Sequence, residues 1–160
     1  MIDWKTLKEQ TMGARRAIAG LLSDETHRAH LQAPTWKNNL HWHAGHLVTT
    51  PHLLTYGVMG EPIVIPEDYR RWFAKGTSPA TWGNDPVPSF ESLVEQVVVV
   101  VPGVFDAFEE RADVPLPQPY ATSLGVILRT PAEALNFSLV HDGIHIGMIQ
   151  AFKRGLNAMT

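Results

Sequence analysis

Apolar residues recur at helical spacing in four stretches of the chain. From about Asp3 to Leu22, the residues Trp4, Leu7, Thr11, Ala14, Ile18 and Leu21 fall on one stripe, and Asp3 is placed to N-cap it. A second helix is predicted from about Lys37 to Val58, with a stripe through Trp42, His46, Thr49 and Leu53 and with Gly57 and Gly60 near its end. Pro51 sits inside it and predicts a kink, because its ring displaces the carbonyl of Leu47. A third is predicted from about Ser89 to Arg111, with Ser89 at the N-cap. Its run Val97-Val98-Val99-Val100-Val101 has the local propensity of a buried strand. Helix is favoured because Phe90, Leu93, Val94, Val97, Val101, Val104, Phe105 and Phe108 keep a helical period over a length few strands reach. Pro102 predicts a kink there. The fourth helix, about Pro131 to Ala158, opens on Thr130-Pro131-Ala132-Glu133, with Thr at the N-cap, Pro at N1 and Glu at N3.

The joins between these helices are unequal. The first is short and polar. The tracts Gly60 to Pro88 and Asp113 to Arg129 are long and rich in proline, and they hold Tyr69, Trp72, Phe73, Trp82 and Tyr120. Long joins are unusual in a compact bundle and permit crossover connections. The pattern therefore predicts an all-α, four-helix bundle with long crossover connections, one domain over residues 1–160.

Composition narrows the function classes. Hydrophobic residues make up 44% and charged residues 18%, which suits a packed core and not a disordered chain. Net charge is −3, and the basic residues are scattered singly or in pairs, so no nucleic-acid footprint is expected. The pairs Arg15-Arg16 and Arg70-Arg71 read as solvated helix faces. The absence of cysteine excludes disulfides, zinc–thiolate sites and a thiol nucleophile from the chain itself. The opening Met1-Ile2-Asp3-Trp4-Lys5 lacks the form of a secretory signal, and no long apolar run predicts a membrane span. A cytoplasmic protein is the expectation.

Histidine is the residue type that suggests chemistry. There are eight, six of them between His27 and His52 and two at His141 and His145. His141 and His145 are one helical turn apart, so both imidazoles share a face and can close on one ion with bonds of about 2 Å. A third ligand must come from elsewhere. His41 and His43 cannot share a helical face, whereas His43 and His46 can. His46 is in phase with Trp42, Thr49 and Leu53, but spacing alone leaves His43 and His46 both open. His27, His30 and His52 read as solvated or locally hydrogen-bonded. Asp142 points away from the histidine pair, so no carboxylate sits at ligand spacing on the fourth helix. Gly143 and Gly147 cost about 1 kcal/mol each in a helix interior, which predicts the close approach of another helix, in the bundle or across a dimer.

The segment Trp42-His43-Ala44-Gly45-His46-Leu47, followed about a hundred residues later by His141-x-x-x-His145-Ile146-Gly147, resembles the DinB superfamily of metal-binding bundles. The likeness runs over nearly the whole chain, including Trp36, Gly60 and the Thr130-Pro131-Ala132-Glu133-Ala134-Leu135 entry to the last helix. It implies metal ligands His46, His141 and His145, and so favours His46 over His43. It also implies a homodimer. The family often has Gln directly after the glycine of the second motif, whereas this chain has Met148, so a polar contact at that position is missing.

Three imidazoles leave coordination positions open, as in catalytic metal sites. An open position lets the cation lower the pKa of a water or hold an external thiol as thiolate. The resemblance implies a metal-dependent transferase or hydrolase acting on a small molecule, with a low-molecular-weight thiol as a candidate co-substrate. The alternatives are a non-catalytic, metal-dependent ligand-binding or stress-response dimer, and a chain whose histidines bind no metal. Imidazole ligands suit one divalent transition metal, Zn or Ni foremost and Fe or Cu after them. His43, Tyr69, Trp72, Trp82 and Tyr120 are the candidate substrate-pocket residues, with His43 the nearest candidate general base.

Overall fold

The structure, a computed structural model, describes residues 3–158. Met1 and Ile2, which enter the reading of the chain's opening, lie outside the described residues. Among the described residues there are five α-helices: α1 Trp4–Leu22, α2 Leu40–His52, α3 Asp68–Phe73, α4 Phe90–Phe108 and α5 Pro131–Asn157. Two short strands, β1 Tyr120–Ala121 and β2 Ile127–Leu128, pair antiparallel in the join before α5. No described helix is long and apolar enough to cross a membrane.

The long helices start where side chains satisfy their first free N–H groups. Asp3, Asn39, Ser89 and Thr130 accept from the backbone N–H of Thr6, Trp42, Ser92 and Glu133. Asn39 moves the start of α2 three residues past the expected Lys37. The five valines are helical throughout, with Val97 and Val101 buried and Val99 exposed, so the period of the whole stretch outweighs local β propensity.

Packing arranges the four long helices around a square. α1 and α2 each pack against both α4 and α5, giving the spatial order α1, α4, α2, α5. Consecutive helices α1 and α2, and likewise α4 and α5, thus stand at opposite corners, and the chain between them must cross the bundle end. The join expected to be short runs from 23 to 39 and contains a turn of 3-10 helix at Thr26–Arg28. The Gly60–Pro88 tract is partly ordered as α3, whose Tyr69, Trp72 and Phe73 insert into the core. That core also takes Leu22, Leu40, Leu47, Leu93 and Phe152.

Pro51 lies inside α2, where it was expected, and is followed by a π-helical turn, Leu53–Gly57, which the chain leaves through Gly60 at φ +74°. Two further expectations are corrected. Arg15 is not solvated. It is fully buried, its Nε donates to Asp142 Oδ2 at 2.7 Å and its Nη1 to the Leu47 carbonyl at 2.5 Å. Leu47 is the residue whose carbonyl Pro51 cannot serve, so Arg15 supplies the donor that the proline lacks. Gly143 and Gly147 are exposed, and a Cβ at either would meet nothing within 4 Å, so no helix of this chain approaches them closely.

Candidate metal centre

Helix α2 presents His46, and α5 presents His141 and His145 one turn apart. Their ligand-capable nitrogens all lie within 4.8 Å of one another, and among the described residues no other histidine, aspartate or glutamate joins the group. His46 Nε2 and His141 Nε2 are 3.2 Å apart. Two bonds of about 2 Å at a tetrahedral angle put their nitrogens roughly 3.3 Å apart, so the pair already has the spacing of two ligands on one ion.

The environment chooses which nitrogen of His46 is free. Its Nδ1 is 2.7 Å from the carbonyl oxygen of Phe73, which can only accept, so Nδ1 carries the proton and Nε2 keeps its lone pair toward His141. Phe73 reaches that position because residue 45 is glycine. A Cβ at Gly45 would lie 2.3 Å from the Phe73 ring. Trp42 stacks on the His46 ring, with ring centroids 4.5 Å apart and planes 13° from parallel, and its Nε1 donates to Thr77 Oγ1 at 2.8 Å.

His145 has a different support. Its Nδ1 is 3.1 Å from Nδ1 of His43, which is buried. With the proton on His145 Nδ1, His43 accepts it and His145 is left with Nε2 as its ligand atom. This places His43 behind a ligand, although it also borders a hollow that reaches the triad. His141 has a buried Nδ1 with no partner.

Burial dominates the electrostatics. It pushes the pKa of His43 and His46 down to about 4 and that of His141 to about 3, and His145 lower still. The charge of Arg15 adds to the depression at His46, His141 and His145. All four imidazoles are therefore neutral at pH 7, the form a metal ligand requires. Asp142 faces away from the triad and is fully buried on Arg15, where burial pushes its carboxyl up and Arg15 opposes the shift. A set of three neutral imidazoles, one with its tautomer fixed and two at ligand spacing, fits a divalent transition ion.

Two hollows of about 280 and 350 Å³ meet at the triad, sharing His46, His145 and Lys75. The smaller is walled by Leu53, Leu54, Phe137 and Ile144, and the β1–β2 hairpin closes one side with Tyr120. Thr50 lines it too, its Oγ1 3.4 Å from His46 Nε2. The larger is bordered by Trp36, Trp42 and Met148. Of the other residues considered for a pocket, Tyr69 donates its hydroxyl to Gln96, Trp72 its indole N–H to Asp85, and Trp82 its indole N–H to the Trp72 carbonyl. These three pack the long join and line neither hollow.

Lys75, Thr50 and the Phe73 carbonyl went unrecognised in the sequence. The Gly45-His46 dipeptide was the signal for the last of these, since an invading ring needs a missing Cβ. His52 is not solvated. It is buried, both of its ring nitrogens lack partners, and burial pushes its pKa down to about 4. His27 and His30 are exposed, and His41 turns toward α4, its Nε2 2.8 Å from the Pro88 carbonyl.

The family model of the DinB superfamily matches residues 7–149, most of the chain and all three histidines. Among curated proteins none matches the chain.

Proposed function

The chain belongs to the DinB superfamily, and from that premise we propose that it is a metal-dependent enzyme acting on a small molecule, of the thiol S-transferase or hydrolase type. The observation that carries this reading is the openness of the triad: three imidazoles converge at the meeting of two hollows, with no fourth metal-binding side chain among the described residues. A structural metal site is closed by its protein ligands, whereas a catalytic one keeps a position for water or substrate.

When bound, the ion supplies Lewis acidity, which eases deprotonation of a water or thiol at neutral pH. The protein's own groups do the rest. Phe73 fixes the proton of His46, and His43 orients His145. Trp42 covers one face of His46 and excludes water from it. Leu53, Leu54, Phe137 and Ile144 receive an apolar substrate body. The chain has no cysteine, so in the transferase reading the thiol is a second substrate. The paired hollows offer it a place beside the electrophile.

The test is elemental analysis of the untagged protein beside His46→Ala and His145→Ala. The parent is expected to carry about one transition metal per chain and each variant to lose it. The metal-loaded parent is then assayed with thiols plus electrophiles, and with activated esters and amides. Turnover that needs both the metal and His145 supports the proposal. A parent that neither carries metal nor is stabilised by added zinc or nickel sinks it.

A further inference from the structure

Lys75 stands out among the residues around the two hollows. It is exposed, it borders both of them, and it makes no hydrogen bond or ion pair with any described residue. Lys37, the other cation at the rim, is held by the Gly76 carbonyl at 2.9 Å. No aspartate or glutamate lines either hollow, although the chain carries 16 acidic against 13 basic residues. The site is thus a cationic spot on a net acidic protein, and a bound dication would add to it. Beneath Lys75 the smaller hollow is walled mainly by aliphatic and aromatic carbon.

An unpaired ammonium at the mouth of an apolar cavity favours a ligand with an anionic end and an apolar body. A neutral ligand would gain nothing from the exposed, hydrated ammonium, and a cationic one would be repelled. We infer that Lys75 is a specificity-determining residue that receives the anionic group, foremost a carboxylate, of a small amphiphilic substrate whose reacting end lies at the three histidines. This rests on the metal-enzyme reading above, and it narrows the substrate class from any small molecule to amphiphilic anions with an apolar body.

Paired metal-binding probes separate the two ideas. The succinic, glutaric and adipic acid monohydroxamates carry a terminal carboxylate. The chain-matched alkyl hydroxamates share the metal-binding head and lack the charge. Each is titrated by calorimetry into the zinc-loaded protein at low salt, after its metal content has been measured. The wild type is expected to bind the carboxylated member of at least one pair about fivefold more tightly, the scale of a partly exposed ion pair, and to lose the preference as salt rises. Lys75→Met brings the ratio to about one, Lys75→Arg preserves it, and Lys37→Met leaves it in place. Neutral hydroxamates that bind without a carboxylate preference at any length overturn the inference and leave the metal centre standing. A preference that survives in Lys75→Met, or vanishes in Lys37→Met, also overturns it. Protein that takes up no zinc removes the metal centre and this inference with it, whereas zinc-loaded protein that binds neither set of probes overturns the inference and the open coordination position and leaves the ion bound.

Discussion

The nitrogen that His46 offers to a metal is decided by neighbours that carry no charge. Gly45 lets the Phe73 ring close on α2, the Phe73 carbonyl takes the Nδ1 proton, and Nε2 is left facing His141. The chain from glycine to tautomer is testable with one methyl group. Gly45→Ala puts a carbon 2.3 Å from a fully buried ring, which must move together with its carbonyl. The expected cost is about 1–3 kcal/mol in urea unfolding of the metal-free protein, the scale of overpacking a core. Zinc affinity, read by competition with a chelator, is expected to fall by roughly tenfold or more, as when an outer-shell partner of a ligand histidine is lost. Wild-type zinc affinity in Gly45→Ala would show that the Phe73 carbonyl does not orient His46.

At the scale of elements, helix positions were legible because apolar periodicity and capping residues survive in sequence. Asp3, Ser89 and Thr130 cap where their types and spacing suggested. The i,i+4 spacing of His141 and His145 likewise put both rings on one face, and the family resemblance chose His46 over His43 as their partner on α2. Side chains that act across elements were not legible. Arg15 reads as surface by residue type, yet it is in phase with Leu7, Thr11, Ile18 and Leu22, all buried. It joins three helices by bonding Asp142 of α5 and the α2 carbonyl that Pro51 leaves free. The donor and the proline are far apart in sequence, so neither announces the other. Arg15→Met strands a buried carboxylate and is expected to cost about 3–5 kcal/mol in urea unfolding of the metal-free protein. Adding Asp142→Leu should recover much of that loss, less the 1–3 kcal/mol, roughly, of an unserved Leu47 carbonyl. A double variant no more stable than Arg15→Met would mean that Asp142 gains little from its arginine.

For the whole molecule, the buried histidines link stability to pH. His43, His46 and His52 are pushed from an ordinary value of 6.5 to about 4, His141 to about 3 and His145 further. Between 6.5 and about 4 the unfolded chain therefore binds protons that the folded chain refuses. Stability follows the difference in bound protons, so it is fully present above 6.5 and is lost as pH falls toward 4. Thermal melts of the metal-free protein should thus show a melting temperature that falls steadily across this window. His52→Leu should flatten the slope, because that ring has no hydrogen-bond partner to lose and is no ligand. Metal affinity should behave differently from stability. An exposed histidine site releases its ion as the rings protonate near 6.5, whereas here the folded imidazoles are already neutral down to about 4. Zinc titrations of the folded protein at pH 7 and at about pH 5.5 are expected to give closely similar affinities, provided the protein remains folded at both. A steep loss of affinity at the lower pH, with the fold intact by circular dichroism, would place the histidine protons near their ordinary value and contradict a dry, closed-packed backing to the site.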